Sequence, residues 1–236
     1  MSLRPFLALL LLSCPAHAQT FEARYDMSLR GITAGQIALR AREGGGRYSV
    51  VAAAKATGAA GALVKYGYDG RAEGRVTRRG LESSVYGETE DDNGETTVTE
   101  IRFQDGRPQS VTVTPARDPE PHDIDPTAQR GVMDPLSSLY EMMRPVPRAA
   151  ACDLDQNLFD GRHVSRLTLG PAQPQADGTI VCIGAYRRIA GYSAEELARR
   201  PSVDMTFVYG TLDGDRVQVT EIRAPTPLGD AVLRRR

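Results

Sequence analysis

A period-two alternation, repeated along the chain and cut by glycine turns, constrains the fold more than any other feature. Phe21-Glu22-Ala23-Arg24-Tyr25-Asp26-Met27-Ser28-Leu29-Arg30 alternates apolar with polar residues, and residues 34–42 do the same. Successive side chains on a strand point to opposite faces, so the pattern fits antiparallel strands with one covered and one wet face. Gly31 separates the two runs as a hairpin turn, and Gly44-Gly45-Gly46 closes the second. Further strands are expected over 48–54, 66–77 (with an interruption at Asp69-Gly70), 81–89, 96–103 and 108–114. Asn93-Gly94 and Asp105-Gly106 are hairpin turns, because both positions must tolerate positive φ. The small residues of 57–63 read as either a helical turn or a loop.

The rhythm breaks over 115–133, where Pro115, Pro119, Pro121 and Pro126 are interleaved with Asp118, Glu120, Asp123 and Asp125. This is an acidic, proline-rich linker or long surface loop. A helix follows. Asp134 is a good N-cap, Pro135 suits the first helical position, and Leu136, Leu139, Tyr140 and Met143 make one apolar stripe. Pro145 and Pro147 stop it. Strands are expected again over 162–169 and 179–189, then a short helix at 194–199. A last hairpin joins 203–209 to 216–222 around Asp213-Gly214-Asp215, and the tail 228–236 forms an edge strand or frays. No β-α-β rhythm occurs. The reading is a mainly β protein: a strongly curved antiparallel sheet closing into a barrel or β-spiral, with two short helices. A two-lobed arrangement split near residue 116 is the alternative. The outward faces carry Arg, Glu and Thr without an aromatic girdle, which excludes an outer-membrane barrel.

The first residues read as an export signal. Arg4 precedes the run Phe6-Leu7-Ala8-Leu9-Leu10-Leu11-Leu12, and Ala16-His17-Ala18 supplies a small-x-small exit. The apolar run is too short to span a bilayer, which takes about 20 residues. Cleavage after Ala18 leaves one β-rich domain over 19–236, expected in the periplasm with no transmembrane span. Lipid attachment at Cys14 is the weaker reading, because Leu12 puts a bulky residue inside the required small-residue stretch. Cys152 and Cys182 are then the two cysteines left. An even number in an oxidising compartment predicts a structural disulfide. Closing a loop of about 30 residues stabilises by roughly 3.5 kcal/mol in the chain-entropy model.

Chemistry is sparse. The chain has 29 Lys and Arg against 30 Asp and Glu, which argues against a nucleic-acid partner. Trp is absent and aromatics are 6%, so stacking platforms are few. His122 lies in His122-Asp123-Ile124-Asp125, but three or four convergent metal ligands cannot be assigned around it, and a solvated loop is the better reading. His163 follows the Asp160-Gly161-Arg162 turn; with Asp160 it is the best available pair for an envelope hydrolase. Asp153-Leu154-Asp155-Gln156-Asn157 begins like a calcium loop but has Leu158 where glycine is needed. The pairs Arg78-Arg79, Arg187-Arg188 and Arg199-Arg200 and the run Arg234-Arg235-Arg236 read as solvated faces. No catalytic residue, cofactor or metal site is assigned.

Several stretches in order resemble a known family. They are Met133-Asp134-Pro135-Leu136-Ser137-Ser138-Leu139-Tyr140, then Leu158-Phe159-Asp160-Gly161-Arg162, then Cys182 followed by Tyr186-Arg187-Arg188-Ile189-Ala190-Gly191-Tyr192. With the opening Tyr25…Leu29…Gly31…Gly35 hairpin, they resemble the domain-of-unknown-function 3108 family of exported bacterial proteins, in its alphaproteobacterial branch. The resemblance implies an exported, barrel-like β protein without established catalytic residues. It is more distantly similar to a periplasmic β-spiral group linked to envelope integrity. Each motif also has a structural explanation: a helix start at Asp134-Pro135, a turn at Asp160-Gly161, and a strand exit at Gly191. The expected function is therefore non-enzymatic: support of the cell envelope through an unidentified protein or envelope-component partner. Carriage of a hydrophobic ligand or lipid in a barrel cavity is the alternative.

Overall fold

In the computed structural model, residues 18–227 and 229–236 are described. The export signal and Cys14 lie outside them. The first half is a meander: β1 (Gln19–Leu29), β2 (Ile32–Gly44), β3 (Arg47–Ala56), α1 (Gly58–Leu63), β4 (Tyr66–Thr77), β5 (Gly80–Asp92), β6 (Glu95–Gln104) and β7 (Arg107–Thr114). Four of its hairpins turn on Arg30-Gly31, Gly45-Gly46, Asn93-Gly94 and Asp105-Gly106, each with two successive residues at positive φ. Such turns carry the twist of the flanking strands, so the ribbon curls as it grows.

The second half is less regular. It contains β8 (Val132–Met133), α2 (Pro135–Met143), β9 (Val146–Pro147), β10 (Asp155–Phe159), β11 (Val164–Leu169), β12 (Gln173–Pro174), β13 (Ile180–Ala190), α3 (Ala194–Arg199), β14 (Ser202–Asp213), β15 (Arg216–Thr226) and β16 (Gly229–Arg235). All the strands belong to one sixteen-stranded sheet. Its order is β7-β6-β5-β4-β3-β2-β1-β16-β15-β14-β13-β11-β10-β8, with β12 on β13 and β9 on β15. The halves join through the antiparallel pair β1–β16, with Tyr25 opposite Arg235 and Leu29 opposite Ala231. At the other seam the Val132 N–H donates to the Gly106 carbonyl at 3.1 Å, which nearly closes the barrel.

Several expectations change. The tail is an interior strand, because β16 bonds to both β1 and β15. Among the described residues there are three short α-helices, α1 having formed where helix and loop were both open. The expected loop 115–133 ends in β8, which pairs in parallel with β10. No interruption occurs at Asp69-Gly70. β4 runs through it, and Gly70 leaves the inner space to the Tyr68 ring, whose hydroxyl lies 2.3 Å from where a Cβ would stand. One sheet spans residue 116, so the chain is not split into two lobes.

α2 lies in the barrel and fills it. Leu136, Tyr140 and Met143 are buried among Phe21, Tyr48, Tyr86, Phe159 and Phe207. The Tyr140 ring packs 5.6 Å from Phe21 and 6.3 Å from Tyr48. Cys152 and Cys182 are joined with their Cα atoms 5.7 Å apart, within disulfide range. The bond ties the chain just after α2 to β13.

Candidate functional site

Three of the places where the fold organises polar groups are the start of α2, the β10–β11 turn, and a groove on the solvent face of β1–β5. At the first, Asp134 is fully buried. Its Oδ1 accepts from the Ser137 N–H at 2.7 Å, and its Oδ2 accepts from the hydroxyls of Ser137 at 2.6 Å and Ser83 at 2.5 Å. The Asp134 N–H donates back to Ser83 Oγ at 3.0 Å, and Tyr48 shares a 2.5 Å bond with Ser137 Oγ. Burial pushes the Asp134 carboxyl up, and the serine bonds only partly offset it. At the far end of α2, Tyr140 donates to Glu43 at 2.7 Å, and Arg144 bonds to both Glu43 and Glu141. Pro135, Leu136 and Tyr140 therefore seat a helix inside the barrel.

The second place unites two stretches that are separated in sequence. Asp160 Oδ1 accepts from the N–H groups of Arg162 at 2.8 Å and His163 at 2.7 Å, which shapes the turn. Its Oδ2 lies 3.0 Å from His163 Nδ1. Burial works against the Asp160 charge, but bonds from the His163 side chain and these two N–H groups hold its carboxyl below the usual range. The His163 ring stacks on Tyr192, with centroids 4.3 Å apart and planes at 16°. Tyr192 in turn bonds to Ser165 at 2.6 Å and to Tyr186 at 3.4 Å, and Arg188 lies over its ring at 4.9 Å. Gly191 lets the strands meet: its φ is +84°, and a Cβ there would stand 2.4 Å from the Arg162 carbonyl oxygen. Gly161 (φ +103°) packs against Thr99, Val111 and Ile101, and Phe159 is fully buried, so the turn sits at the barrel seam.

The acidic loop is strapped onto this turn. Arg162 Nη2 bonds to Glu120 at 2.7 Å and approaches His122 Nε2 at 2.9 Å. The same His122 Nε2 lies 3.1 Å from Glu120 Oε2, so Arg162, Glu120 and His122 form one cluster. Arg117 grips Asp123 with bonds of 2.6 and 3.0 Å and draws its carboxyl down to about 2. His122 is thus in a half-buried polar contact and not on a freely solvated loop. Among the described residues, no group of three or more His, Cys, Asp and Glu side chains is placed to hold a metal ion.

The third place carries no sequence signature. Across the strands, Arg24 faces Ala38, Ala38 faces Ala53, and Ala53 faces Asp69. In the next row Arg40 faces Val51, Val51 faces Arg71, and Arg71 faces Gly87. The small side chains make the floor of two adjoining hollows, of about 450 Å³ and 470 Å³, that share Arg24, Ala38, Ala53 and Asp69. Alanine and glycine outside a sheet read in sequence as neutral, so only the cross-strand register exposes the groove. Arg40 and Arg71 at its wall are paired with Glu22 and Glu100.

In fold the chain is similar to a beta-barrel-like protein of domain of unknown function DUF1849 from Brucella abortus. The TM-score is 0.50 and the identity 12%, and the match covers 91% of this chain and 94% of that one. No curated protein matches it in sequence. The family model described as protein of unknown function (DUF3108) matches residues 24–172, more than half of the chain. The chain belongs to the DUF3108 family.

Proposed function

We propose that the protein is a non-enzymatic component of the cell envelope that acts by binding a protein or envelope-component partner. The groove on β1–β5 carries this reading. It is a preformed hollow with an uncharged floor and charged walls, on the most regular part of the sheet. The joined cysteines support an oxidising compartment, and the export-like first residues supply the route to it. Two further observations favour a binding role. His163 Nε2, the nitrogen left for acid–base work once Nδ1 is held by Asp160, is buried away from solvent. The inside of the barrel, where a carried lipid would sit, is filled by Leu136, Tyr140 and Met143.

The test is genetic and biochemical. The expected result is that deletion of the gene sensitises cells to detergent and that the wild-type chain restores resistance. Ala53→Glu, on the groove floor, is expected to fold with an unchanged melting temperature and to fail to restore resistance. A deletion strain indistinguishable from wild type under envelope stress overturns the envelope role. Full rescue by Ala53→Glu overturns the groove.

A further inference from the structure

A second cleft, on different strands from the groove, has the chemistry of an anion site. It lies where the end of β13, the last turn of α3 and the end of β15 meet. It encloses about 520 Å³ and is lined by Arg188, Glu196, Arg199, Arg200, Thr226 and Pro227. Pockets that hold small molecules run from about 300 to 1,000 Å³. Three of the six lining residues are arginines.

Arg188 and Arg200 are held in place by neutral carbonyls rather than by direct ion pairs. Arg188 donates from Nη1 to the Glu196 carbonyl at 2.8 Å, and its guanidinium rests over the Tyr192 ring. The Arg200 N–H donates to the same carbonyl at 3.0 Å, and Arg200 Nη2 donates to the Pro225 carbonyl. These bonds occupy a carbonyl of the α3 end that would otherwise repel an anion. Of the carboxylates nearby, Glu196 is turned back to accept from the Ser193 N–H at 2.8 Å. Arg199 pairs with Glu195 on the open surface of α3, where such a pair is worth little. A neutral carbonyl orients a guanidinium without neutralising it, and each guanidinium carries five N–H donors. The remaining donors of Arg188 and Arg200 are thus pre-positioned and charged.

We propose that this cleft binds a phosphate-bearing ligand through Arg188, Arg200 and Arg199. Guanidinium groups match phosphate oxygens in paired N–H···O bonds, and two anchored arginines with a third at the rim suit a group with several anionic oxygens better than one carboxylate. The phosphate can belong to a small soluble molecule or to a lipid headgroup.

The experiment titrates the purified protein with sodium pyrophosphate by calorimetry. In parallel, it measures co-sedimentation with vesicles of phosphatidylglycerol in phosphatidylcholine against phosphatidylcholine alone. Arg188→Gln and Arg200→Gln are compared with Arg216→Gln, which alters an arginine at the opposite end of β15. Pyrophosphate binding that weakens about tenfold in both cleft variants and not in Arg216→Gln is the expected result for a soluble ligand. Binding only to phosphatidylglycerol vesicles, lost in the same two variants, assigns the site to a headgroup. If Arg188→Gln unfolds because Tyr192 loses its cover, the double variant Arg199→Gln/Arg200→Gln decides in its place. Absence of binding to either probe overturns the proposal. So does binding that Arg216→Gln weakens as much as the cleft variants do, which marks diffuse surface charge.

Discussion

Asp134 and Asp160 perform the same local task in opposite surroundings. Each accepts backbone N–H bonds and starts an element: α2 for Asp134, the turn into β11 for Asp160. Asp134 is sealed inside the barrel with hydroxyl partners and no cation, and burial raises its carboxyl pKa. Asp160 is 40% exposed and faces a histidine, and its carboxyl is held low. Both are organised by hydrogen bonds, so hydrogen bonding alone does not decide the shift. What separates them is whether a partner able to carry charge stands beside the acid and whether water can share the load. The α2 start is therefore a place where geometry was obtained at an electrostatic cost, and the β10–β11 turn is one where it was not.

The largest expected effect comes from breaking the buried node. Asp134→Ala removes an N-cap, worth about 1 kcal/mol, and leaves the Ser83 and Ser137 hydroxyls short of a buried partner, at about 1–3 kcal/mol for a stranded group. Denaturant unfolding should show a loss of about 3–4 kcal/mol. A loss under about 1 kcal/mol would mean that water reaches the node and that the contrast with Asp160 is false. The same region is tied down just after α2 by the disulfide. Replacing Cys152 and Cys182 together with serine should cost about 2–5 kcal/mol, read in the same experiment. An unchanged midpoint would show that the α2 exit holds without the bond.

pH separates the two aspartates by sign. A raised folded pKa means that the stability Asp134 contributes is complete below its ordinary value near 4 and is lost as pH rises through the higher folded value. Asp134→Asn cannot ionise, so its stability relative to wild type should improve steadily as pH climbs from about 4. Asp160 behaves in reverse. Its contribution is present above the ordinary value and disappears as pH falls through the lowered one. Asp160→Asn should cost about 1 kcal/mol near neutrality, modest because solvent screens a side chain this exposed, and nothing in strong acid. Stability curves of the two variants that run parallel across pH would break the comparison.

The two regions also differ in how far the sequence reveals them. The start of α2 is local: Asp134, Pro135 and the stripe Leu136, Leu139, Tyr140, Met143 lie within one stretch, and the cap formed as that stretch implies. So do the hairpins of β1–β7, whose turns and alternation are both short-range. The β10–β11 turn depends on contacts across the barrel. Nothing near Asp160 announces that Gly191 must let a strand pass, or that Arg162 will hold the loop through Glu120 and His122. β8 is two residues long and has no period to detect, and β10 is largely polar. β16 reads as an edge because its partner β1 lies at the other end of the chain, and pairing across that distance leaves no local pattern. Ser83 is the clearest omission. It is a buried serine on an ordinary strand, and its role arises only because α2 is threaded beside β5.

The smallest expected effect tests whether His163 is more than a spacer. His163→Phe keeps a flat ring against Tyr192, where stacking at 4.3 Å contributes about 0.5–1.5 kcal/mol. It loses the bond to Asp160, but that carboxylate is exposed enough for water to take the place of Nδ1. It also removes Nε2, a buried nitrogen with no hydrogen-bond partner, which wild type maintains at a cost. Loss and gain nearly cancel, so the unfolding free energy should change by no more than about 1 kcal/mol in either direction, and detergent resistance should be restored in full. A stable His163→Phe protein that fails to restore resistance would show that the imidazole does chemistry. That result would overturn the non-enzymatic reading and bring the β10–β11 turn forward as the active region.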